Sequence, residues 1–269
     1  MPTAAVPSSP ALLPARPVLP PPSGNDIRLE TAPYIVRLAR TEADRAATFR
    51  LRFLVFNLEM NEGLESAYTD GYDRDRYDEV CDHLIVEERS TGAIIGTYRL
   101  QMGNVARRHF GYYSEQEFCC APYEPMRNQI VELGRACIHR DHRSPEVLHL
   151  LWRGLARYSL ANGGRYMMGC CSLNSLDPAV GHAVYASLAN CLVEPELRTV
   201  PTAAYMLHRP KAEFGEERAP KLLRAYLAIG AKICGPPAID REFGTIDFLT
   251  LIDLQTLHPR VAQRFLEGC

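Results

Sequence analysis

No stretch of the 269 residues stays apolar over the thickness of a bilayer, so no membrane-spanning helix is expected. No apolar run before Pro14 exceeds three residues, too short for the hydrophobic core of a secretory signal. No C-x-x-C pair occurs among the nine cysteines, so their spacing does not suggest zinc. Their odd number, without a signal peptide, argues against a disulfide framework. Neither sign of charge prevails: the formal net charge of −2 gives no global reason to bind nucleic acid. There is no internal repeat. These absences leave a soluble, cytoplasmic chain in which the adjacent pairs Cys119-Cys120 and Cys170-Cys171 act as small core hydrophobes.

What is present is ordinary globular composition, 46% hydrophobic and 23% charged. Residues 1–24 carry eight prolines, so 1–26 is expected to be a disordered Pro-rich leader and 27–269 a single domain. Tyr34–Leu38 reads as a strand. Thr41, with Asp44 three residues on, reads as a capping box for a helix to Met60. Its apolar face is Ala43, Ala47, Leu51, Leu54, Val55 and Leu58. Residues 61–79 form an acidic loop. His83–Glu88 and Ile94–Leu100 make a hairpin over Ser90-Thr91-Gly92. Residues 103–128 are irregular. Ile130–His139 is a strand, and Ser144-Pro145-Glu146 starts a helix that stops at Asn162-Gly163-Gly164. Tyr166–Cys171 is a strand, Asp177-Pro178 caps a helix to about Asn190, Lys221–Ile233 is amphipathic, and Phe248–Leu254 is a strand. This is a mixed α/β order with a crossover helix after the Ile130–His139 strand.

The most informative segment is Val131 to Pro145. Strand alternation assigns Glu132, Gly134 and Ala136 to one face and Leu133, Arg135 and Cys137 to the other. The strand runs into a basic turn, Arg140, His142 and Arg143, then a helix N-terminus capped by Ser144. Such a start presents unpaired N–H groups that suit a phosphate or a pantetheine amide. An ordinary strand–turn–helix with a solvated basic turn explains it equally well.

The run Glu132-Leu133-Gly134-Arg135-Ala136-Cys137-Ile138-His139 resembles the central strand of GNAT acyltransferases. Within that group it resembles the ornithine N-acyltransferases of ornithine-lipid synthesis and, more distantly, the acyl-homoserine-lactone synthases. Further matching runs are LRFLVFNLEM at 51–60, YDEVCDHLIV at 77–86, GTYRL at 96–100, YSEQEF at 113–118, GCCSL at 169–173 and AYLAIGAKICGPPAID at 225–240. The resemblance implies a GNAT-like fold: a central, twisted, mostly antiparallel sheet flanked by helices. It implies an enzyme that moves a long acyl chain, 3-hydroxylated in the ornithine group, from acyl carrier protein to the α-amine of an amino acid. Neither metal nor bound cofactor is implied; the phosphopantetheine thioester is a substrate.

Carried over by position, Arg52, Phe56, Asp75, Asp78 and Arg99 bind the acceptor. In this reading Arg52 and Arg99 take its carboxylate, and Asp75 and Asp78 its ammonium groups. Pairing among those same arginines and aspartates is the structural alternative. Glu132 is the candidate base, aided by Arg135. The backbone amides of Ala136 and Cys137 stabilise the oxyanion. The Cys137 thiol is read as packing, because no histidine pattern marks a nucleophilic pair. Arg140, His142, Arg143, Ser144 and Arg153 face the donor. CoA-dependent relatives carry a glycine-rich turn that wraps pyrophosphate; here Ser-Pro-Glu-Val-Leu follows Arg143, which favours a carrier-protein donor. That partner is acidic and suits the arginines of 135–165. Lys221, Arg224 and Lys232 admit peripheral contact with the inner membrane face, although a core-facing surface helix is the plainer reading. Residues 219–245 depart from the ornithine pattern, which leaves other amino acids open as acceptor. A non-catalytic carrier-binding module and a lactone-type signal synthase are the remaining alternatives.

Overall fold

The computed structural model describes residues 27–210, 215 and 217–266; the expected leader lies outside them. The chain enters through a short edge strand, β1 (Arg28–Glu30), and β2 (Tyr34–Leu38). Thr41 then starts α1 (Glu42–Arg52). Its hydroxyl accepts from Asp44 N while the Asp44 carboxylate accepts from Thr41 N, the expected reciprocal cap. The helix does not continue as α. Phe53–Met60 winds as a π-helix and ends at Asn61 with φ 56°, a left-handed conformation that asparagine tolerates. The wider turn rephases the side chains: Val55 is buried, whereas Leu58, assigned above to the same face, is 58% exposed.

The remaining elements are β3 (Asp82–Glu88), β4 (Ile94–Met102), α2 (Gly103–Arg108), β5 (Ile130–Ile138), α3 (Pro145–Ala161), β6 (Tyr166–Leu173), α4 (Pro178–Ser187), α5 (Lys221–Ala228), β7 (Lys232–Ile233), β8 (Ala238–Asp240), β9 (Thr245–Asp253) and α6 (Pro259–Leu266). All nine strands join one sheet in the order β1-β2-β3-β4-β5-β6-β9-β7, with β8 also on β9. Among the named strands of the described residues, β5 and β6 alone pair in parallel, linked by α3 as the crossover. The expected fold class is thus the observed one. The sequence pattern does not reveal β1, β8, α2 or α6, all eight residues or shorter.

One sheet face packs on α3 and α6. Val147, Leu150, Leu151, Leu155 and Trp152 of α3 meet Val36, Leu84, Val86, Leu100 and Val131. Each such side chain contributes roughly 1.5–3 kcal/mol, against about 1 kcal/mol for the Ser144 cap. Burial therefore anchors α3, and the cap sets where it begins. In α5, Leu223 enters the core while Lys221 and Arg224 stay exposed, the arrangement of a surface helix packed on the body.

Two irregularities in β5 prepare the site. Its pairing with β6 ends at Glu132–Met168, and beyond that the strands part. Just past the last pair the backbones nearly touch: a Cβ on Gly169 would lie 2.3 Å from the Leu133 oxygen. On its other edge, Thr97 and Arg99 of β4 face Cys137 and Gly134, so two steps on β4 oppose three on β5. This is a β-bulge, and Arg135 takes it up with φ 49°. The bulge corrects the expected alternation. Leu133 and Ala136 share the α3 face, whereas Cys137 packs with Leu51 and Val55 of the α1 side. Arg135 points to that side too, against Phe56, and so shares a face with Glu132.

Candidate active site

Where β5 and β6 part, a cavity of about 530 Å³ opens through the sheet. Tyr98, Leu133, Ala136, Met167, Tyr226 and Ile252 make one wall apolar. Glu62, Gln101, Glu132, Arg135, Cys170 and Asp247 make the other wall polar. A smaller recess of about 30 Å³, lined by Trp152, Leu155, Ile229, Leu257, Val261 and Phe265, shares Leu133, Met167, Tyr226 and Ile252 with the apolar wall.

Glu132 is 6% exposed and tightly held. Tyr113 N donates to Oε2 at 2.8 Å; Ser114 N and Oγ donate to Oε1 at 2.8 and 2.6 Å. Burial raises its pKa, and the bonds from Ser114 and Tyr113 partly restrain that rise. The result is a carboxylate of fixed direction and more than ordinary basicity on the cavity wall.

The other carried-over charges form a buried network beside the cavity. Arg52, fully buried, donates to Asp73 at 2.8 Å and to both oxygens of Asp78 at 2.7 and 3.1 Å. Arg99 donates to both oxygens of Asp75 at 2.7 Å and reaches Asp78 at 3.3 Å. Arg135 pairs with Asp73 and lies between the Phe56 and Phe243 rings, 4.4 and 4.9 Å from their centroids. Burial works against the Asp78 carboxylate, but Arg52 and Arg99 overcome it and hold its pKa low. Of the expected acceptor-binding set, Phe56 and Arg99 reach the cavity, together with Arg135; Arg52, Asp75 and Asp78 do not. Arg52, Arg99 and Arg135 pair with Asp73, Asp75 and Asp78, the structural alternative named above, while Arg135 Nε keeps no hydrogen-bond partner.

Gly134, Arg135 and Ala136 border the cavity, but Cys137 does not. It faces Thr97 in register, and burial pushes its thiol up to about 12. Its side chain packs with Leu51 and Val55, as expected. In the turn after β5, Arg143 donates to Glu59 through both Nη atoms at 2.5 and 2.8 Å and to Ile138 O at 3.0 Å. Ser144 caps α3 through Val147 N, and His142 Nδ1 lies 3.2 Å from the Tyr34 hydroxyl. Arg140 is exposed and Arg153 half-buried; none of these five lines the cavity.

Sequence reasoning missed Glu117, Asp240 and Asp247. Their carboxylate oxygens lie within 4.8 Å of one another, all buried, although the first two sit inside matching runs quoted above. Only the fold brings them together, from a loop, β8 and β9. Burial, then the neighbouring Asp247 and Asp240, raise the Glu117 carboxyl well above its usual range; burial raises Asp247 to about 6. No helix among the described residues is long and apolar enough to cross a membrane.

Residues 51–153, from the end of α1 into α3, match the acetyltransferase (GNAT) domain family. The AHL synthase LasI superposes with a TM-score of 0.50 at 15% identity, covering 87% of this chain and 95% of its own. FeeM, an N-acyl amino acid synthase from uncultured soil microbes, gives 0.50 at 10% identity over 84% and 93%. At these identities the likeness concerns the fold. In sequence, the chain is 32% identical over 242 residues to the L-ornithine Nα-acyltransferase of Brucella abortus (strain 2308), covering 84% of this chain and 86% of that one. With the L-ornithine Nα-acyltransferase of Agrobacterium fabrum (strain C58 / ATCC 33970) it shares 31% over 241 residues, 83% and 82% of the two chains. With a bulged, splayed central strand, a carboxylate at the splay and relatives of this closeness, the chain belongs to the L-ornithine Nα-acyltransferase family and is an acyltransferase of the GNAT fold.

Proposed function

We propose that the protein transfers a long-chain fatty acyl group from the phosphopantetheine thioester of acyl carrier protein to the α-amine of L-ornithine or a closely similar amino acid. The observation that carries this reading is the cavity at the splay, apolar on the α3 side and acidic on the other. An acyl chain follows the apolar wall toward the Trp152–Phe265 recess. The acceptor lies on the polar wall. Glu132 takes a proton from its α-ammonium, directly or through water. The free amine attacks the thioester carbonyl, and the backbone amides of Gly134 to Ala136 stabilise the oxyanion. The attack forms the C–N bond; collapse then breaks the C–S bond and expels the thiolate, which takes up the proton lost by the newly acylated nitrogen, leaving the amide. Arg99 and Arg135, held by Asp73, Asp75 and Asp78, position the wall rather than engage the acceptor by both guanidinium edges.

The glycine-free turn supports a carrier-protein donor over CoA, and the exposed Arg140 supports an acidic partner. The relatives' acceptor supports ornithine. The test is to incubate the protein with 3-hydroxyacyl- or palmitoyl-carrier protein, the corresponding acyl-CoA, and an amino-acid mixture containing ornithine, and to identify products by mass spectrometry. N-acyl-ornithine formed faster from the carrier protein is the expected result. A different N-acyl amino acid overturns the acceptor; equal rates from CoA overturn the donor.

A further inference from the structure

Glu117, Asp240 and Asp247 sit 1%, 2% and 5% exposed, and among the described residues none has an ion-pair partner. Glu117 Oε1 and Asp247 Oδ1 lack any hydrogen-bond partner. Three carboxylates this close cannot all remain ionised in a buried setting without a cation. A second, separate observation points to a ligand. Gln101, 2% exposed and opposite Glu132 in the β4–β5 register, lines the cavity that Asp247 also borders, with neither end of its carboxamide partnered; Glu117 and Asp240 cluster on Asp247 without themselves bordering the cavity.

We infer that Glu117, Asp240 and Asp247 form the subsite for the distal ammonium of the acceptor, so that the enzyme selects an amino acid whose side chain ends in a primary amine. The inference rests on the acceptor reading above. A polar path joins the two ends of such a ligand. Ser114 Oγ is 2.6 Å from Glu132 Oε1 and 3.6 Å from Cys170 Sγ, which lies 3.8 Å from Glu117 Oε2. With its α-amine at Glu132, a ligand of ornithine's length, about 6 Å between nitrogens, reaches toward the trio along this wall. An alkylammonium offers three N–H donors and no acceptor, matching three carboxylates. A hard divalent ion fits less well. It wants six or more oxygens, and one Asp240 oxygen is already engaged by Glu242 N and Phe243 N at 2.8 and 3.1 Å. Glu62, whose carboxyl is raised by burial and by Asp247, adds a fourth acid on the cavity side.

The experiment compares L-ornithine with L-norvaline, the same carbon chain without the δ-amine, as acceptors for the wild type and for Asp247→Asn and Glu117→Gln. The wild type is expected to prefer ornithine in kcat/KM by at least tenfold, and each variant to lose most of that preference. Equal use of both acceptors by the wild type overturns the inference without recourse to a variant; so does an undiminished preference in folded variants. Turnover of neither acceptor sinks the acceptor reading itself, and calorimetry then decides the subsite. Ornithine binding that Asp247→Asn abolishes supports it. Manganese binding that Asp247→Asn abolishes while ornithine binding persists overturns it in favour of a metal site.

Discussion

Burial raises the carboxyls of Asp247 and Glu117 in the folded protein above the range near pH 4 in which an unfolded chain releases such protons. The folded carboxyl of Asp247, raised from 3.8 to about 6 by burial, contributes stability that is fully present below pH 3.8 and lost as pH rises through about 6. Asp44, Asp73 and Asp78 are depressed instead, and their contribution is lost only as pH falls below the usual carboxylate range. Glu62 and Glu117 face Asp247, are raised as well, and act in the same direction as it does. The ligand-free protein should therefore melt higher at pH 5 than at pH 7.5, by roughly 1–3 kcal/mol in unfolding free energy. Asp247→Asn should flatten that slope; thermal unfolding across the range checks it. For Glu132→Gln, loss of a general base predicts a fall of about 10²- to 10⁴-fold in kcat, with an unchanged circular dichroism spectrum. Full turnover in that variant would remove Glu132 from the mechanism. Glu132 and Arg135 were legible in the sequence because they lie in one short run. The trio was not, because its members are 123 and seven residues apart and no local pattern links them.

At the scale of elements, the network around Arg52 and the pair Arg143–Glu59 look alike on a contact diagram and differ in energy. Arg52→Ala would leave Asp73 and Asp78 without their buried partner, a loss of about 3–5 kcal/mol. Arg143→Ala breaks an exposed pair, 43% and 32% exposed, and should cost under about 1 kcal/mol. Urea denaturation of both variants makes the comparison. The sequence reading carried Arg52, Arg99, Asp75 and Asp78 over to the acceptor and kept their mutual pairing as the alternative. Composition cannot say whether opposite charges meet each other or a substrate; only the approach of α1 to the loop before β3 decides it. The same limit explains α1 itself: its cap was readable from Thr41 and Asp44, whereas the π-helical continuation has no three-to-four-residue signature. Gly169→Ala tests the splay. The added methyl must push Leu133 away, so the variant should lose about 1–3 kcal/mol of stability and much of its activity.

Across the whole molecule, the sheet divides labour by face. The succession of elements from β2 to β6, with a crossover helix after β5, follows from hydrophobic periodicity that the sequence displays openly; which strands lie side by side, β9 between β6 and β7 above all, does not. The short edge pieces were invisible, since two- and three-residue strands have no period to detect. The apolar face closes over the Trp152–Phe265 recess with α3 and α6. Filling it with Ile229→Trp should shift products toward shorter acyl chains, a change that mass spectrometry of a mixed-chain assay would detect.

The bulge at Arg135 has one more consequence. It joins two phases of the same alternation, as a dislocation joins two halves of a lattice, and Glu132 and Arg135 meet only because the phase slips between them. A slip of this kind is a property of chain length, not of side-chain identity. What the slip requires is one residue more on β5 than on β4 between Gly134 and Cys137. Shortening the strand by one residue beside Arg135 would restore strict alternation and turn the Arg135 side chain through the sheet toward the α3 face, into hydrocarbon.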